Sequence, residues 1–322
     1  NHNNKNEVIK KFKKKFKLIG INEFKEIDLH NSELKLDYIY VQKGGEKNNW
    51  VSSSIKTLVH SVYPQKLNEI HGYKYVYISS WLSKNFSRGK IPYVPLIVEQ
   101  KKIKGNLKKK LKINKNQLVL GCHGGQSSFD LKFAQDTIFE LVNKRKDITF
   151  IFLNINKFCK HPRVIFLKGT ADETFKSKFI NTCDAMIYGR SLGESFGLAC
   201  GEFSIQGKKI ISYRFNRHRS HLNNITNNNF VEYSTRKELS KILKNFSKKK
   251  ISLKNNYFYY KPHLVMKSFQ KTFLKGNEDV NLSIIDYSYN FFNFFMMYYR
   301  YFCHKFYNHY YNLFESKFIF KK

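Results

Sequence analysis

The strongest constraint on the fold is a regular alternation of short apolar segments and amphipathic segments between residues 118 and 212. Short apolar runs bounded by polar turns are typical of buried strands, and the segment after the first run has the period of a helix. Strands that alternate with helices in this way form a parallel sheet with right-handed crossovers. In such sheets ligands bind beyond the carboxyl ends of the strands, so we expect functional residues in the loops that follow the strands.

The elements of this region can be placed from the apolar runs. Strands are expected at 118–121, 148–153, 164–167, 185–188 and 208–212, and helices at 129–146 and 172–183. One face of the first helix carries apolar residues at helical spacing, namely Leu131, Ala134, Ile138, Leu141 and Val142. We expect this face to pack against the sheet.

The first part of the chain shows a weaker form of the same pattern. A basic helix is expected at 6–16, strands at 17–21, 37–42, 55–60 and 75–78, and a helix at 79–86 that Ser79 or Ser80 would cap. Prolines and a lysine-rich stretch then fill residues 91–117, which indicates a boundary. A chain of 322 residues is long enough for two domains. We predict domains over 1–100 and 101–270 and an aromatic, basic tail over 271–322.

The formal net charge of +34 bears on the partners of this chain. So basic a character often accompanies binding to nucleic acid or to an anionic surface. The excess comes from 49 Lys against 9 Arg, however, and specific base readout favours the planar fork of Arg. The codon bias of an AT-rich genome is an alternative source of the charge. We therefore expect acidic ligands, rather than nucleic acid, as the main partners.

The number and spacing of the cysteines argue against a disulfide-bonded scaffold and a structural zinc site. There are five of them, which is an odd number, and they are widely spaced with no CxxC pair. This pattern disfavours a disulfide framework and a structural zinc site, and it fits a reducing compartment. A cytoplasmic location is therefore expected.

The segment GRSLGESFGLACGEF at 189–203 carries two glutamates, Glu194 and Glu202, on either side of a glycine-containing turn. The strands before and after it predict a helix over 196–203. Glu202, more than one turn into that helix, could accept hydrogen bonds from a ribose diol, and Glu194 would face the other end of the ligand. The pair would then bracket a nucleotide sugar. The alternative is that Glu194 is a loop residue and Glu202 an exposed helical residue.

The start of the same helix is a candidate anion site. Its first free backbone N–H groups would come from Phe196, Gly197 and Leu198. Unpaired N–H groups at a helix N-terminus favour a phosphate or diphosphate. Gly197, which has no side chain, would let the ligand approach the backbone closely.

Residues 183–212 resemble the donor-binding segment of group 1 (family 4) glycosyltransferases of the GT-B fold. The spacing of the two glutamates, the FGL between them and the strand that follows all match that family's pattern. Weaker similarity extends over residues 55–222 and includes YVYISSWLSKNF, IPYVPLIV and VIFLKGT. The resemblance implies an α/β fold with two Rossmann-like domains. The N-terminal domain is expected to be incomplete, because no strand is predicted before the basic helix.

The resemblance also implies a reaction. Members of this family transfer a sugar from a nucleotide sugar to an acceptor, usually with retention and without a metal. For this chain it implies a UDP- or GDP-sugar donor, no further cofactor, and a saccharide, lipid-linked or protein acceptor. Carried over by position, Glu194 would contact the donor sugar, Glu202 the ribose, and Gly169 would lie near the base. The backbone of residues 196–198 would hold the diphosphate.

The start of the C-terminal domain departs from the family's pattern. The family usually has an Arg and a nearby Lys there, which contact the diphosphate, whereas here Cys122 stands in the place of the Arg. Arg190, or less favourably Lys132, would have to supply the cation instead. Gly124 and Gly125 would form a flexible loop over the ligand, and an ordinary turn is the alternative.

His60 is the candidate catalytic residue of the N-terminal domain. It ends the predicted strand 55–60, and the family often places a His at such a strand end, facing donor sugar and acceptor. A histidine there would be a polar contact or a proton carrier. A surface or capping histidine is the alternative.

The tail is rich in aromatic residues. Residues 281–322 contain 17 Phe and Tyr and only two acids, Asp286 and Glu315. The run FFNFFMMYYRYF at 291–302 has about half the length that a membrane span needs. We expect a helix that packs on the protein, or partial disorder. The alternative is a helix lying on an anionic membrane surface, which would make the protein peripheral to a membrane.

Three functional hypotheses therefore stand. The first is the glycosyltransferase implied by the resemblance. The second is a basic nucleic-acid-binding α/β protein, which would bind oligonucleotides with a steep salt dependence. The third is a degenerate transferase-like module that binds a nucleotide without turning over a donor, as the loss of the family's Arg at Cys122 suggests.

Overall fold

The computed structural model describes residues 6–99, 103–225, 229–247, 256–276 and 280–316. The chain divides into two compact units. The first unit comprises residues 1–95 and 266–291, and the second comprises residues 96–265 and 292–322. The division after Pro95 lies close to the boundary that the sequence predicts, and the predicted tail is shared between the two units.

The first unit contains a three-stranded parallel sheet. Its strands are β1 (Tyr38–Lys43), β2 (Lys56–Ser61) and β3 (Lys74–Tyr77), in the order β1-β2-β3. Among the residues that the structure describes, the α-helices that lie wholly within this unit are α1 (Asn6–Lys13), α2 (Glu26–Leu34) and α3 (Ser80–Ser87). The hydroxyl of Ser79 caps α3 by accepting a hydrogen bond from the backbone N–H of Leu82, which satisfies one of the free donors of the first turn.

One predicted strand of this unit is wrong. Residues 17–21 are irregular and mostly exposed. Their apolar side chains have too little to pack against, so the apolar run does not become a strand.

The second unit is built on a six-stranded parallel sheet with the order β11-β9-β7-β4-β5-β6. The strands are β4 (Leu118–His123), β5 (Ile148–Leu153), β6 (Val164–Leu167), β7 (Ala185–Tyr188), β9 (Lys209–Tyr213) and β11 (Phe230–Tyr233). Two further two-residue strands, β8 (Gly193–Glu194) and β10 (His218–Arg219), pair with each other. The predicted parallel sheet is confirmed.

The helices of the second unit follow the strands. They are α4 (Lys132–Lys144), α5 (Glu173–Thr182), α6 (Leu198–Ser204), α7 (Ser220–Asn223) and α8 (Arg236–Lys244). Two helices contain the later boundaries between the units, α9 (Pro262–Phe269) and α10 (Ile284–Tyr310). Within the described residues, no helix combines the length and the apolar character that crossing a bilayer requires.

The core of the second unit lies on the sheet. Every residue of β5 is buried, and so is the predicted apolar face of α4, whose members are all at most 3% exposed. Removing a large buried side chain from such a face costs about 2–5 kcal/mol. This core fixes the carboxyl ends of the strands, from which the candidate site is built.

Candidate functional site

The strand order identifies where a ligand would bind in the second unit. The chain passes from β4 outward through β5 and β6, then returns to β7 on the other side of β4 and continues to β9 and β11. The order therefore reverses between β4 and β7. In open parallel sheets the crevice at such a reversal, beyond the carboxyl ends of the strands, is the usual ligand site. The loops after β4 and β7 carry most of the residues that the sequence singled out.

The loop after β7 leads into the helix that the sequence predicts at 196–203. The helix α6 begins at Leu198, two residues later than predicted, and its N-cap is Gly197. Gly197 has a φ of +88°, which side-chain-bearing residues rarely adopt. A Cβ on Gly197 would lie 2.6 Å from the Cβ of His221 and 2.7 Å from the Oη of Tyr257.

The reason for a glycine at this position therefore differs from the expected one. The sequence suggested that Gly197 lets a ligand approach the backbone. In the structure, the space that its Cβ would need is filled by His221 and Tyr257 of the same unit. The glycine is required by the backbone conformation and by internal packing, and the loop is thereby held in one shape.

The backbone at the start of α6 offers unpaired donors. The N–H groups of Phe196, Gly197 and Leu198 have no hydrogen-bond acceptor among the residues that the structure describes. The carbonyl of Phe196 accepts a hydrogen bond from Tyr257 at 2.7 Å, and the carbonyl of Gly197 accepts one from the N–H of Gly201 at 2.8 Å. The carbonyls are thus engaged in the protein while the amides are not. Such an arrangement suits an anion.

Glu194 is held by two donors at the same edge of the sheet. Its Oε1 accepts hydrogen bonds from the Tyr188 hydroxyl at 2.7 Å and from Arg190 Nη1 at 3.2 Å. Burial and the charge of Glu194 keep the pKa of Tyr188 well above its ordinary value, so that the phenol remains a donor. Burial alone would lower the pKa of Arg190, but its contacts with Glu194 and Tyr188 together outweigh burial and raise that pKa. Glu194 remains partly exposed.

Glu202 lies in α6 and is only 3% exposed. Lys176 Nζ, from α5, is 2.5 Å from its Oε1, and His123 Nε2, from the end of β4, is 2.9 Å from its Oε2. The His123 contact is not aligned as a hydrogen bond, so we treat it as electrostatic. Burial by itself would raise the pKa of Glu202, but its contacts with His123 and Lys176 outweigh burial and hold that pKa below its ordinary value. Glu202 is therefore ionised at neutral pH.

Sequence reasoning missed His123 and Lys176. His123 ends β4, and the carboxyl end of a strand in a parallel sheet is a signal that could have identified it. Its ring stacks on Phe203 at 5.6 Å, which fixes its orientation toward Glu202. Lys176 is one lysine among many, and nothing in the local sequence separates it from the others.

The two candidate cations are both paired. Arg190 contacts Glu194, as described above, and Lys132 contacts Asp136 one turn along α4. Asp136 also accepts a hydrogen bond from the Tyr311 hydroxyl at 2.6 Å. Cys122 is fully buried, and burial raises the pKa of its thiol, so this position supplies no charge.

Two of the three other candidate glycines, Gly124 and Gly169, lie against Asn154, which follows β5. Asn154 Nδ2 donates to the carbonyl of Gly124 at 2.7 Å, and a Cβ on Gly169 would lie 2.5 Å from Asn154 Oδ1. The N–H of Gly125 donates to Ser128 Oγ at 3.0 Å, which closes a turn after β4. The Asn154 side chain, which sequence reasoning did not identify, thus ties the segment after β5 to the segment after β4 and lies against Gly169, which follows β6.

His60 lies in the first unit and is buried there, with 2% exposure. Its Nδ1 is 2.5 Å from the Tyr40 hydroxyl and its Nε2 is 2.8 Å from the Val94 carbonyl, so both ring nitrogens are engaged. Burial lowers its pKa to about 4, although its backbone hydrogen bonds raise it. These contacts are those of a neutral core histidine, and a catalytic role for His60 stays a prediction.

In the second unit, the edge of the sheet brings together two carboxylates, their partners, and three amides that have no acceptor among the described residues. Within the ranges that the structure describes, no three His, Cys, Asp or Glu side chains converge as metal ligands. The expectation that no metal is needed stays a prediction.

Comparison with solved structures identifies the fold. A glycosyltransferase from Rickettsia africae aligns with a TM-score of 0.54 at 11% identity, over 96% of this chain and 88% of that one. WaaG, a glycosyltransferase involved in lipopolysaccharide biosynthesis, aligns with a TM-score of 0.50 at 11% identity, over 77% and 81% of the two chains. S. aureus MnaA, in a structure with UDP, aligns with a TM-score of 0.50 at 10% identity, over 83% and 85%.

Comparisons at the level of sequence found no related protein. No protein-family model matches the sequence, and no curated protein matches it. At these low identities the structural similarity establishes the fold alone. The chain has the α/β fold of the GT-B glycosyltransferases, and the predicted fold class is confirmed.

Proposed function

We propose that this protein is a glycosyltransferase that moves a sugar from a UDP- or GDP-sugar to a saccharide, lipid-linked or protein acceptor, with retention and without a metal. The observation that carries the proposal is the set of unpaired amides of residues 196–198, flanked by Glu194 and Glu202 at the strand-order reversal. A GT-B fold supports it, since two of the aligned structures are described as glycosyltransferases and a third contains UDP.

The amides of residues 196–198 would hold the donor diphosphate. When the bond between sugar and diphosphate breaks, negative charge builds up on the leaving group. Fixed N–H donors aimed at that charge lower the barrier, and losing one such donor typically costs about 3–4 kcal/mol. Arg190 would add a positive charge, because it lies in the same loop and its side chain is not fully buried.

Glu202 would bind the ribose of the nucleotide. Each carboxylate oxygen has two acceptor positions, and in the structure Lys176 takes one on Oε1 while His123 lies against Oε2. Because Glu202 is only 3% exposed, the two hydroxyls of a diol would reach the remaining positions by displacing the contact with His123 or Lys176. Glu202 is ionised at neutral pH, as its lowered pKa requires, which makes it a strong acceptor.

Glu194 would contact the donor sugar. It precedes the amides in the chain, while Glu202 follows them, so we expect the two carboxylates to contact opposite ends of the ligand. Its partial exposure leaves a free face for a ligand, and Arg190 and Tyr188 fix its other side. A fixed carboxylate next to the sugar would stabilise the positive charge that develops during transfer.

One observation favours a second function, that of a nucleotide-binding module without turnover. Arg190 and Lys132 are each already paired with a carboxylate, and Cys122 brings no charge. Without a cation at the leaving diphosphate, binding would persist while transfer would be slow.

The experiment that tests the proposal combines binding with turnover. We expect UDP or GDP to raise the melting temperature of the full chain, and Glu202→Ala to remove that shift, because the ribose loses its acceptor. Glu140→Gln, which alters a carboxylate paired with Arg236 on α8, is the matched control and should retain the shift. A screen of UDP-, GDP- and ADP-sugars for hydrolysis then separates the two functions.

The outcomes are distinct. Hydrolysis of one donor class supports the transferase, and binding without hydrolysis of any donor supports the binding module. A melting temperature that no nucleotide diphosphate or nucleotide sugar changes would contradict both.

A further inference from the structure

One face of α10 in the second unit, continued by the π-helical segment Tyr311–Glu315, is exposed and almost entirely aromatic. We call it the aromatic face, and its members are Phe292, Phe295, Tyr298, Tyr299, Phe302, Phe306, Tyr310, Leu313 and Phe314. Their exposed fractions lie between 44% and 67%. At about 100° per residue these positions fall within one side of the helix, along roughly 30 Å of its length. Soluble surfaces rarely leave so long a contiguous apolar patch uncovered.

The opposite face of the same helix is fixed to the second unit. Met297 and Tyr311 are buried. The Tyr307 hydroxyl accepts a hydrogen bond from the N–H of Arg236 at 2.8 Å, and Arg300 donates to the Arg217 carbonyl at 3.2 Å. The helix therefore cannot turn its aromatic face inward without breaking this packing. It also cannot be surrounded by lipid, because one side is occupied by protein.

Positive charge lines one edge of the aromatic face. The Arg217 guanidinium lies 5.1 Å and Lys305 Nζ lies 5.4 Å from the centre of the Tyr301 ring. Neither cation pairs with a carboxylate in the described part of the chain. The only acid over residues 292–316 is Glu315, and it lies 3.9 Å from Arg236. The face is thus apolar with a basic edge.

We propose that the aromatic face docks onto a lipid bilayer with anionic headgroups, with α10 lying parallel to the surface. Phe rings would enter the boundary between headgroups and acyl chains, and Tyr rings would keep their hydroxyls at the headgroup level. Arg217 and Lys305 would meet the lipid phosphates. This inference does not depend on the proposed activity.

The charge also argues against a second copy of the chain as the occupant. Each copy carries a formal net charge of +34, and the edge cations would be brought together in a face-to-face dimer. Like charges oppose such an association, whereas an anionic bilayer attracts the same surface.

The test is cosedimentation of the full chain with vesicles. Two vesicle compositions are needed, phosphatidylcholine alone and phosphatidylcholine with about one third phosphatidylglycerol. The variant carries Phe295→Ser, Phe302→Ser and Phe306→Ser, all on exposed positions, so folding should be unaffected. The matched control carries Tyr63→Ser, Tyr93→Ser and Tyr259→Ser, which are exposed aromatic residues outside α10. Circular dichroism checks that both variants fold.

We expect the wild-type chain and the control to bind the anionic vesicles at least about tenfold more tightly than the phosphatidylcholine vesicles, because the basic edge contributes. The Phe variant should lose about tenfold or more on the anionic vesicles, and Lys305→Glu should lose less. If the Phe variant and the control bound the anionic vesicles equally well, the proposal would be overturned, because vesicle binding would then come from the net charge of the chain and not from the aromatic face. Absence of vesicle binding, together with a dimer in light scattering that the Phe variant abolishes, would assign the face to a second copy instead.

Discussion

Removing either partner of the buried pair between Lys176 and Glu202 should destabilise the second unit. The two charges are 2.5 Å apart, and the Glu202 side chain is 4% exposed while that of Lys176 is 27% exposed. Breaking a fully buried pair by removing one partner costs about 3–5 kcal/mol, because the other charge is left without compensation. Since water reaches Lys176 in part, we expect about 2–3 kcal/mol for Glu202→Gln.

A double-mutant cycle isolates the interaction. Glu202→Gln, Lys176→Met and the double variant are unfolded in urea, and we expect a coupling energy of about 1–2 kcal/mol. Far-UV circular dichroism is the appropriate signal, because both tryptophans, Trp50 and Trp81, belong to the first unit and their emission does not report on the second. Unfolding of two units need not be two-state, so each transition is fitted separately.

The control for this cycle is an exposed pair of the same chemistry. Lys17 and Glu33 are 3.1 Å apart, with side chains 66% and 67% exposed. Such pairs contribute about 0–1 kcal/mol and weaken with salt. A coupling energy for Lys176 and Glu202 no larger than that of the exposed pair, or one that disappears in high salt, would refute the account of Glu202 as a buried, charge-compensated carboxylate.

Two further predictions concern the loop at α6 and the core of the first unit. The loss in free energy of unfolding should be about 1–3 kcal/mol larger for Gly197→Ala than for Gly105→Ala. Both glycines have a positive φ, but only at Gly197 would the new Cβ meet other atoms. Equal losses for the two variants, measured by urea unfolding, would contradict this. His60 has a folded pKa of about 4, below its unfolded value near 6.5, so its contribution is full above pH 6.5 and is lost as the pH falls toward 4. Protonation of His60 should lower the free energy of unfolding of the first unit by up to about 3 kcal/mol. Tryptophan emission should show this as a steep fall in stability at acidic pH, and the fall should be shallower in His60→Gln.

The sequence predicted most strands of the second unit's sheet well because they are continuous apolar runs, of which β5 and β7 are buried throughout. The strands at 148–153 and 164–167 were predicted with the observed ends, since continuous apolar runs bounded by polar turns leave little choice. The strand Phe230–Tyr233 and the helix Arg236–Lys244 were not predicted. The strand is only four residues long and mostly half-buried, and the helix is rich in charged residues, so both depend on packing at the edge of the sheet.

Only the part of the candidate site that is formed by residues close together in the sequence could be predicted. Glu194 and Glu202 lie on one loop and helix, so their spacing carried information. Their partners come from other elements, and the choice of Lys176 among many lysines is made by the tertiary fold. The role of Gly197 was misread for the same reason, because the atoms that exclude a side chain there belong to residues distant in sequence.

The central claim is that the leading amides of α6 bind the diphosphate of a nucleotide. The most direct measurement is the amide spectrum of the full chain labelled with ¹⁵N-leucine, in which Leu198→Met assigns the Leu198 resonance. Leu198 is exposed, so this substitution should not disturb the fold. We predict that UDP or GDP shifts the Leu198 amide resonance while the matching nucleoside, which lacks phosphates, does not. A nucleotide that binds and shifts other leucine amides but leaves that of Leu198 unchanged would contradict the account.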